Sequence, residues 1–552
     1  MTMNTRAIIT RFTPDAAIIM ALTLVIGLIA QQWAGLDTPD SSFYFSLANF
    51  GSEVTDRAPI DSYYWTRLGV IAPTYALTQI FGPWIGYFIW RLFLLATITA
   101  AIYIATRKFK STRQTSALLA GTLATSTVII SYLGNPYVTA TALAVIAITI
   151  TAALFTSRAA AAIGGASLGW LAMINPYAAL LAGSIWFAIT IQNHFANKNT
   201  RKAAQLLRQF VITAVSAGVT FGVFLLIGTQ LFPGLNWFAT YLEWNAKLDY
   251  ANFSSESPIW LTDPSLLVPL AMLVVITSQW WRFKTPATQV ALTISLTTLG
   301  LSLAFLPAMA GITLEATIYT SMLWIPTSIA LAITFAERIA APMWITPIAL
   351  AILIAVGFLA LDFNGYVAAA VAVAVVTTVF LATASINRIL ILALILFLAA
   401  AQLISNSRDQ IGLYYSSPFA WAYQSNPVKL KLANARKAQE WLINNTQPTD
   451  QVLTYVDGNW LDGDRDLYVA AAMQFWGENR SGVDTILRPE DLERIKATNP
   501  TVFALYGPNK IALEQYANSL PTDLNLSPLT CTNFDWPTSP TGANLCLSFS
   551  NK

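Results

Sequence analysis

The sequence predicts a polytopic α-helical membrane protein with a small extracytoplasmic α/β domain at its C-terminus. Three observations predict it. Of 552 residues, 55% are hydrophobic and only 11% are charged, against about 25% charged in an average soluble chain. Apolar runs of spanning length, about 20 residues each, recur along residues 15–405. From about residue 407 charge returns and apolar runs shorten to strand or amphipathic-helix length.

The spans fall near 15–33, 84–105, 115–133, 137–156, 160–174, 177–193, 210–230, 264–281, 288–307, 316–336, 343–361, 366–384 and 388–405. Lys and Arg near span ends mark the cytoplasmic side. With the N-terminus inside (Arg6, Arg11), every inside connection is basic. These hold Arg107 to Lys110 with Arg113, then Arg158, Lys198 to Arg208, Arg282 with Lys284, Arg338 and Arg388. The acids fall outside, among them Asp37, Asp40, Glu53, Asp56, Asp61, Glu243, Asp249, Glu256, Asp263, Glu315 and Asp362. Merging 160–193 into one helix would move Lys198–Arg208 outside, so the charges require a break at Asn175-Pro176. The first apolar run, Ala16 to Trp33, lacks a small-residue cleavage site and reads as a retained helix. The expected location is the plasma (inner) membrane, with residues 1–406 forming the membrane domain and 407–552 the outside domain.

Within the outside domain, Asn434–Leu442 and Pro489–Lys496 read as helices, and Gln451–Val456 and Thr501–Tyr506 as strands. The only two cysteines, Cys531 and Cys546, cluster there and suggest one short-range disulfide, which needs an oxidising compartment. That agrees with the side reached by counting charges. The net charge of +3 is too small to suggest nucleic acid. The single His, His194, reads as a residue of a basic loop, which excludes a His-rich metal site.

Two outside loops are too long and polar to be plain connectors. The first, 34–83, holds five acids, Arg57, Arg67 and the aromatics Phe43, Tyr44, Phe45, Tyr63, Tyr64 and Trp65. Its apolar stretch Leu68–Phe81 is interrupted by Pro73 and reads as a segment lying along or re-entering the membrane surface. The second, 231–263, holds Trp237, Tyr241, Trp244, Tyr250 and Trp260 with Glu243, Lys247 and Asp249. Aromatic rings favour headgroup depth, so both loops are expected to form a shelf at the outer surface around one shared cavity. A carboxylate near membrane depth is a functional candidate. Asp40 closely follows the first span. It reads equally as a helix N-cap, and the two roles do not exclude each other.

The stretch Asp40 to Ala48, an acid followed by Phe43-Tyr44-Phe45 and Leu47-Ala48, resembles the start of the first external loop in the GT-C class of glycosyltransferases. That class includes the protein O-mannosyltransferases and the aminoarabinose transferases of lipid A. Tyr64-Trp65-Thr66-Arg67-Leu68-Gly69, with Pro73 and Phe81-Gly82, resembles its surface-helix segment, and Trp90-Arg91-Leu92 the Arg that opens its second span. The predicted architecture is also similar: about thirteen spans, a long loop between spans seven and eight, and an outside C-terminal domain.

The resemblance implies an inverting enzyme that moves a sugar from a polyprenyl-phosphate carrier to an envelope glycan, lipid or protein acceptor. It implies Asp40 as general base and Arg67, Arg91 and Lys247 as groups for the donor phosphate. It leaves Asp37, Asp61, Tyr64, Trp65, Asn135, Tyr137 and Trp244 for sugar and acceptor. The bland reading of Arg91 is a snorkelling residue, and of Lys247 a solvated loop charge. Two departures bear on a divalent cation (Mg or Mn), which wants several oxygen ligands. Ser41 follows Asp40 where a second acid is common, and Asn135 stands where some relatives have Asp. Asp37 or Asp61 would then have to supply the missing oxygen. The alternative reading is a transporter or flippase, toward which Asn175-Pro176 and Glu315 lean.

Overall fold

The computed structural model of the chain describes residues 5–29, most of 44–52, 62–124, 137–196, 202–247, 264–308, 316–336, most of 441–456, 483–486, most of 500–536, and 539–550, with isolated positions between. It is mostly helical. The helices are α1 (Thr5–Ile29), the single turn α2 (Ser62–Trp65), α3 (Leu68–Phe81), α4 (Pro83–Lys108), α5 (Arg113–Ala124), α6 (Val138–Ala153), α7 (Arg158–Ala172) and α8 (Pro176–Ala196). They continue with α9 (Lys202–Leu231), α10 (Trp237–Lys247), α11 (Pro264–Phe283), α12 (Pro286–Ala308) and α13 (Ala316–Ala336). Ten expected spans coincide with α1, α4 to α9 and α11 to α13. The expected spans at 343–361, 366–384 and 388–405 lie outside the described residues, as do the domain boundary near 407 and the helix at 489–496.

Helix ends fall where backbone chemistry puts them. Proline opens α4, α8, α11 and α12, the position where its missing N–H costs nothing. The Ser157 hydroxyl accepts from the Ala160 N–H (3.1 Å) at the start of α7. Asn175 Oδ1 accepts from the Tyr177 N–H (2.9 Å) at the start of α8. The break at Asn175-Pro176 is therefore a capped turn between two helices. Gly82, at φ +81°, makes the corner between α3 and α4 that a side chain would strain. Leu68–Phe81, expected to lie along or re-enter the membrane surface, is one continuous helix that carries Pro73 inside it. One sequence expectation needs correction. His194 is not in a loop; it lies in the last turn of α8, whose apolar periodicity runs past Ile191.

Small residues set the closest helix contacts. A Cβ added to Gly165 or Gly169 of α7 would strike the carbonyls of Thr213 and Ala217 on α9, the close approach that Gly-xxx-Gly spacing permits between membrane helices. Hydroxyls bond across the same bundle. Thr149 donates to Ser167 (2.8 Å), Thr151 to the Ala101 carbonyl (3.2 Å) and Thr213 to the Ala161 carbonyl (3.0 Å). At the end carrying the basic connections, Asp15 accepts from Arg113 Nε (2.6 Å) and the Tyr103 hydroxyl (2.9 Å), joining α1, α5 and α4.

Two helices, Ile85–Lys108 and Ala203–Leu231, are long and apolar enough to cross a membrane among the described residues. The second turns a large apolar face outward. Leu207, Val211, Val215, Val219, Val223 and Ile227 form one ridge at four-residue spacing, each at least 36% exposed. An outward ridge of six large aliphatic side chains suits hydrocarbon and not water.

The C-terminal part of the chain carries a five-stranded sheet of order β2-β1-β3-β5-β4, from β1 (Val452–Val456), β2 (Val483–Ile486), β3 (Val502–Gly507), β4 (Thr530–Trp536) and β5 (Ser539–Phe549). β1 is parallel to β2 and β3, while β5 runs antiparallel to β3 and β4. α14 (Lys510–Ser519) covers one face with Leu513 and Tyr516. The two expected strands match β1 and β3, and Trp441 and Leu442 of the expected 434–442 helix are helical. Cys531 and Cys546 stand opposite each other on β4 and β5 and are disulfide-bonded.

The bridge closes a separation of 15 residues, for which loop entropy gives about 3 kcal/mol. Cys546→Ser is expected to lower the domain's stability by about that amount, and wild type to show no labelled thiol without reductant. Burial pushes the Tyr506 phenol up from its usual value. Its contribution is intact below the ordinary phenol value of about 10 and is lost as pH rises from there toward the folded value. Alkaline titration should show stability falling above about pH 10, with a shallower fall in Tyr506→Phe.

Candidate functional site

The first loop docks onto α3 and α4 through backbone carbonyls. Thr78 Oγ1 donates to the Ala48 carbonyl (2.6 Å), Gln79 Nε2 to the Asn49 carbonyl (2.7 Å) and the Tyr87 hydroxyl to the Tyr44 carbonyl (3.3 Å). Phe45 packs on Tyr87 at 5.0 Å between centroids. Thus fixed, Tyr44, four residues beyond Asp40, meets Tyr64 at 5.5 Å and Tyr137 at 5.6 Å, both edge to face. Three tyrosines from three separate segments share one cluster.

Arg67 lies beside it. Its Nη1 donates to the Ile174 carbonyl (3.0 Å) in the turn between α7 and α8. Its guanidinium sits 4.4 Å above the Tyr63 ring. The side chain is buried, 8% exposed, and its Nε has no hydrogen-bond acceptor among the described residues, nor does Trp65 Nε1. No ion pair to Arg67 occurs among the described residues. A buried guanidinium with donor capacity to spare is suited to an oxyanion.

The second loop meets the first here. Trp65 stacks on Phe232 (5.6 Å, 18° between planes). Trp237 Nε1 donates to the Thr66 carbonyl (2.8 Å) while its ring stacks on Tyr241 (5.0 Å). The stretch 231–263 is thus not all loop: Trp237–Lys247 forms α10, whose Phe238 and Leu242 face outward. Lys247, expected in a loop as a group for the donor phosphate, closes that helix, and Trp244 lies on it; the side chains of both fall outside the description. Asp37, Asp40, Asp61 and Asn135 also lie outside the described residues. Arg91 is buried in α4, eight residues in from Pro83. The structure therefore brings Tyr64, Trp65, Arg67 and Tyr137 together. It adds Trp170 and Phe232, which no sequence pattern singled out, and Gly69, which the sequence offered only as part of the surface-helix segment. Trp170 sits in an ordinary apolar helix, and only its partner across space gives it a role.

The helical fold is one that a solved structure shares. In particular, it is similar to ArnT from Cupriavidus metallidurans, solved bound to undecaprenyl phosphate, with TM-score 0.51 and 13% identity over 96% of this chain and 97% of that one. The apo state of the same protein gives TM-score 0.47 and 13% identity over 97% and 98% of the two chains. The arabinofuranosyltransferase AftD from Mycobacteria gives TM-score 0.48 and 12% identity over 97% of this chain and 40% of that one. No family model and no curated protein matches the chain.

The junction of the two loops is directly testable. Trp237→Phe keeps an aromatic ring on Tyr241 but leaves the Thr66 carbonyl without its donor. A cost of about 1–3 kcal/mol is expected for such an orphaned buried group, read as a lower melting temperature in detergent.

Proposed function

We propose that the protein is a membrane glycosyltransferase that moves a sugar from a polyprenyl-phosphate donor to an envelope glycan, lipid or protein acceptor at the outer face of the membrane. The observation that carries the reading is Arg67, a buried guanidinium with an unoccupied donor, set where the two long loops meet. The fold shared with a protein solved with undecaprenyl phosphate supports it. Thirteen spans, a cytoplasmic N-terminus and an extracytoplasmic C-terminal domain belong to the proposal, and the charge asymmetry of the connections supports them.

The chemistry asks for few parts. Asp40 takes the proton of the acceptor hydroxyl as that oxygen bonds to the anomeric carbon, on the face opposite the phosphate. The bond from that carbon to the phosphate oxygen breaks, and the configuration inverts. The departing polyprenyl phosphate gathers charge, which Arg67, with Arg91 and Lys247, offsets. Tyr44, Tyr64 and Tyr137, with Trp65 and Trp244, supply rings and hydroxyls for the sugar, and Asp37, Asp61 and Asn135 add polar contacts to sugar or acceptor. Among the described residues no three His, Cys, Asp or Glu side chains gather to hold a metal, and no step here runs through one.

The test is transfer of labelled sugar from a polyprenyl-phosphate donor by purified protein. General-base assistance is worth roughly 10²–10⁴ in rate, so Asp40→Asn should lose transfer by about that factor. The change keeps capping ability, so the melting temperature should hold. Near-normal turnover by this variant would sink the assignment of the base.

A further inference from the structure

An α-helix normally closes each carbonyl with the N–H four residues on. In α3 the N–H due to the Gly69 carbonyl belongs to Pro73, which has none. The vacancy is taken from outside: Trp170 Nε1, on α7, donates to the Gly69 carbonyl at 2.7 Å. The Gly69 N–H in turn donates to the Met173 carbonyl at 3.0 Å. One residue later the Ile174 carbonyl accepts from Arg67 Nη1. Three bonds thus tie residues 67–69 to residues 170–174.

The approach is as close as chemistry allows. A Cβ on Gly69 would sit 2.6 Å from Ile174 Cγ1 and 2.9 Å from Trp170 Cδ1, so residue 69 must be glycine. Trp170 is itself held between Trp90 (6.3 Å) and Phe224 (6.2 Å), so its indole N–H arrives on a fixed ring. The guanidinium is gripped on one nitrogen and on its face by Tyr63, while its Nε stays buried and unbonded. A grip of that kind sets the direction of the remaining donors before any anion arrives, which lowers the ordering cost of binding.

We propose that Trp170, acting through the carbonyl that Pro73 leaves open on Gly69, is a positioning residue that holds Arg67 aimed at the donor's phosphate. This rests on the reading of Arg67 as a phosphate ligand. The probe is farnesyl phosphate, with farnesol as the uncharged control, binding to the full chain purified in detergent. Trp170→Phe keeps the aromatic packing and deletes the N–H. Pro73→Ala leaves Trp170 intact but supplies a helix N–H that competes for the Gly69 carbonyl, and it removes a proline from a helix, so it is expected to fold.

Each variant should lower the preference for phosphate over alcohol by about three- to tenfold, the worth of one hydrogen bond, with farnesol affinity near wild type; Trp170→Phe, which orphans the Gly69 carbonyl, should also melt at a lower temperature, whereas Pro73→Ala should not. Arg67→Ala should lower it further, and adding Trp170→Phe to Arg67→Ala should change nothing more. If Arg67→Ala loses the preference while Trp170→Phe and Pro73→Ala keep it, the positioning role is wrong and the reading of Arg67 stands. Parallel loss of farnesol and farnesyl phosphate binding in either variant makes Trp170 merely structural and overturns the proposal. An unchanged preference in Arg67→Ala removes the phosphate reading, and the positioning role with it.

Discussion

The loop-bearing end of the bundle is organised around the Gly69 carbonyl. At the edge of a bilayer, a backbone group deprived of its helical partner must find another within the protein, since water is scarce. Pro73 creates that need inside α3, and Trp170 meets it. Satisfying the need brings the α7–α8 turn against residues 67–69, and the turn's own carbonyls then collect the Gly69 N–H and the Arg67 guanidinium. A helix defect that would weaken an isolated segment thus becomes the joint between a surface helix and the bundle.

That joint can be tight because the helices behind it are packed through glycines. Gly165 and Gly169 bring α7 onto α9, and Gly228 near the end of α9 receives the Leu68 side chain at the start of α3. One side of α9 is spent on these contacts, and the other shows an aliphatic ridge to lipid. Small faces inward and branched faces outward is the division expected where lipid competes equally for apolar surface and close backbone approach must supply the attraction.

The two ends of the bundle treat charge differently. Asp15 and Arg113 neutralise each other across α1 and α5 at the basic end, with the Tyr103 hydroxyl joining them. Arg67, at the other end, has a carbonyl and an aromatic face and no carboxylate among the described residues. A cation held by neutral groups keeps its charge available to an incoming anion, which a neighbouring carboxylate would repel. The surrounding tyrosines and tryptophans add contact area and exclude water, raising the worth of that charge.

The sequence by itself determined the helical course of the chain. Twenty-residue apolar runs put spans at 84–105, 177–193 and 210–230, inside the helices observed at 83–108, 176–196 and 202–231, and the charge argument alone required the break at Asn175-Pro176. It also picked out Tyr64, Trp65 and Arg67, because aromatic and cationic residues are conspicuous in a long loop beside apolar spans, and Tyr137 through the family resemblance alone. Strands β1 and β3 and the cysteine pair were legible for the same local reasons. Tertiary structure alone decided the partners. Nothing in the chain near Trp170 says that it closes a bond 101 residues away, or that Trp237 reaches Thr66 across 171. How Leu68–Phe81 tolerates Pro73 inside a helix was not legible, since the donor that compensates for it comes from another helix. His194 was misplaced because polar neighbours resemble a loop when the helix's packing is unseen. Local chemistry sets where helices start and stop, whereas the pairing of a leftover carbonyl or a buried cation depends on which distant groups packing brings within about 3 Å.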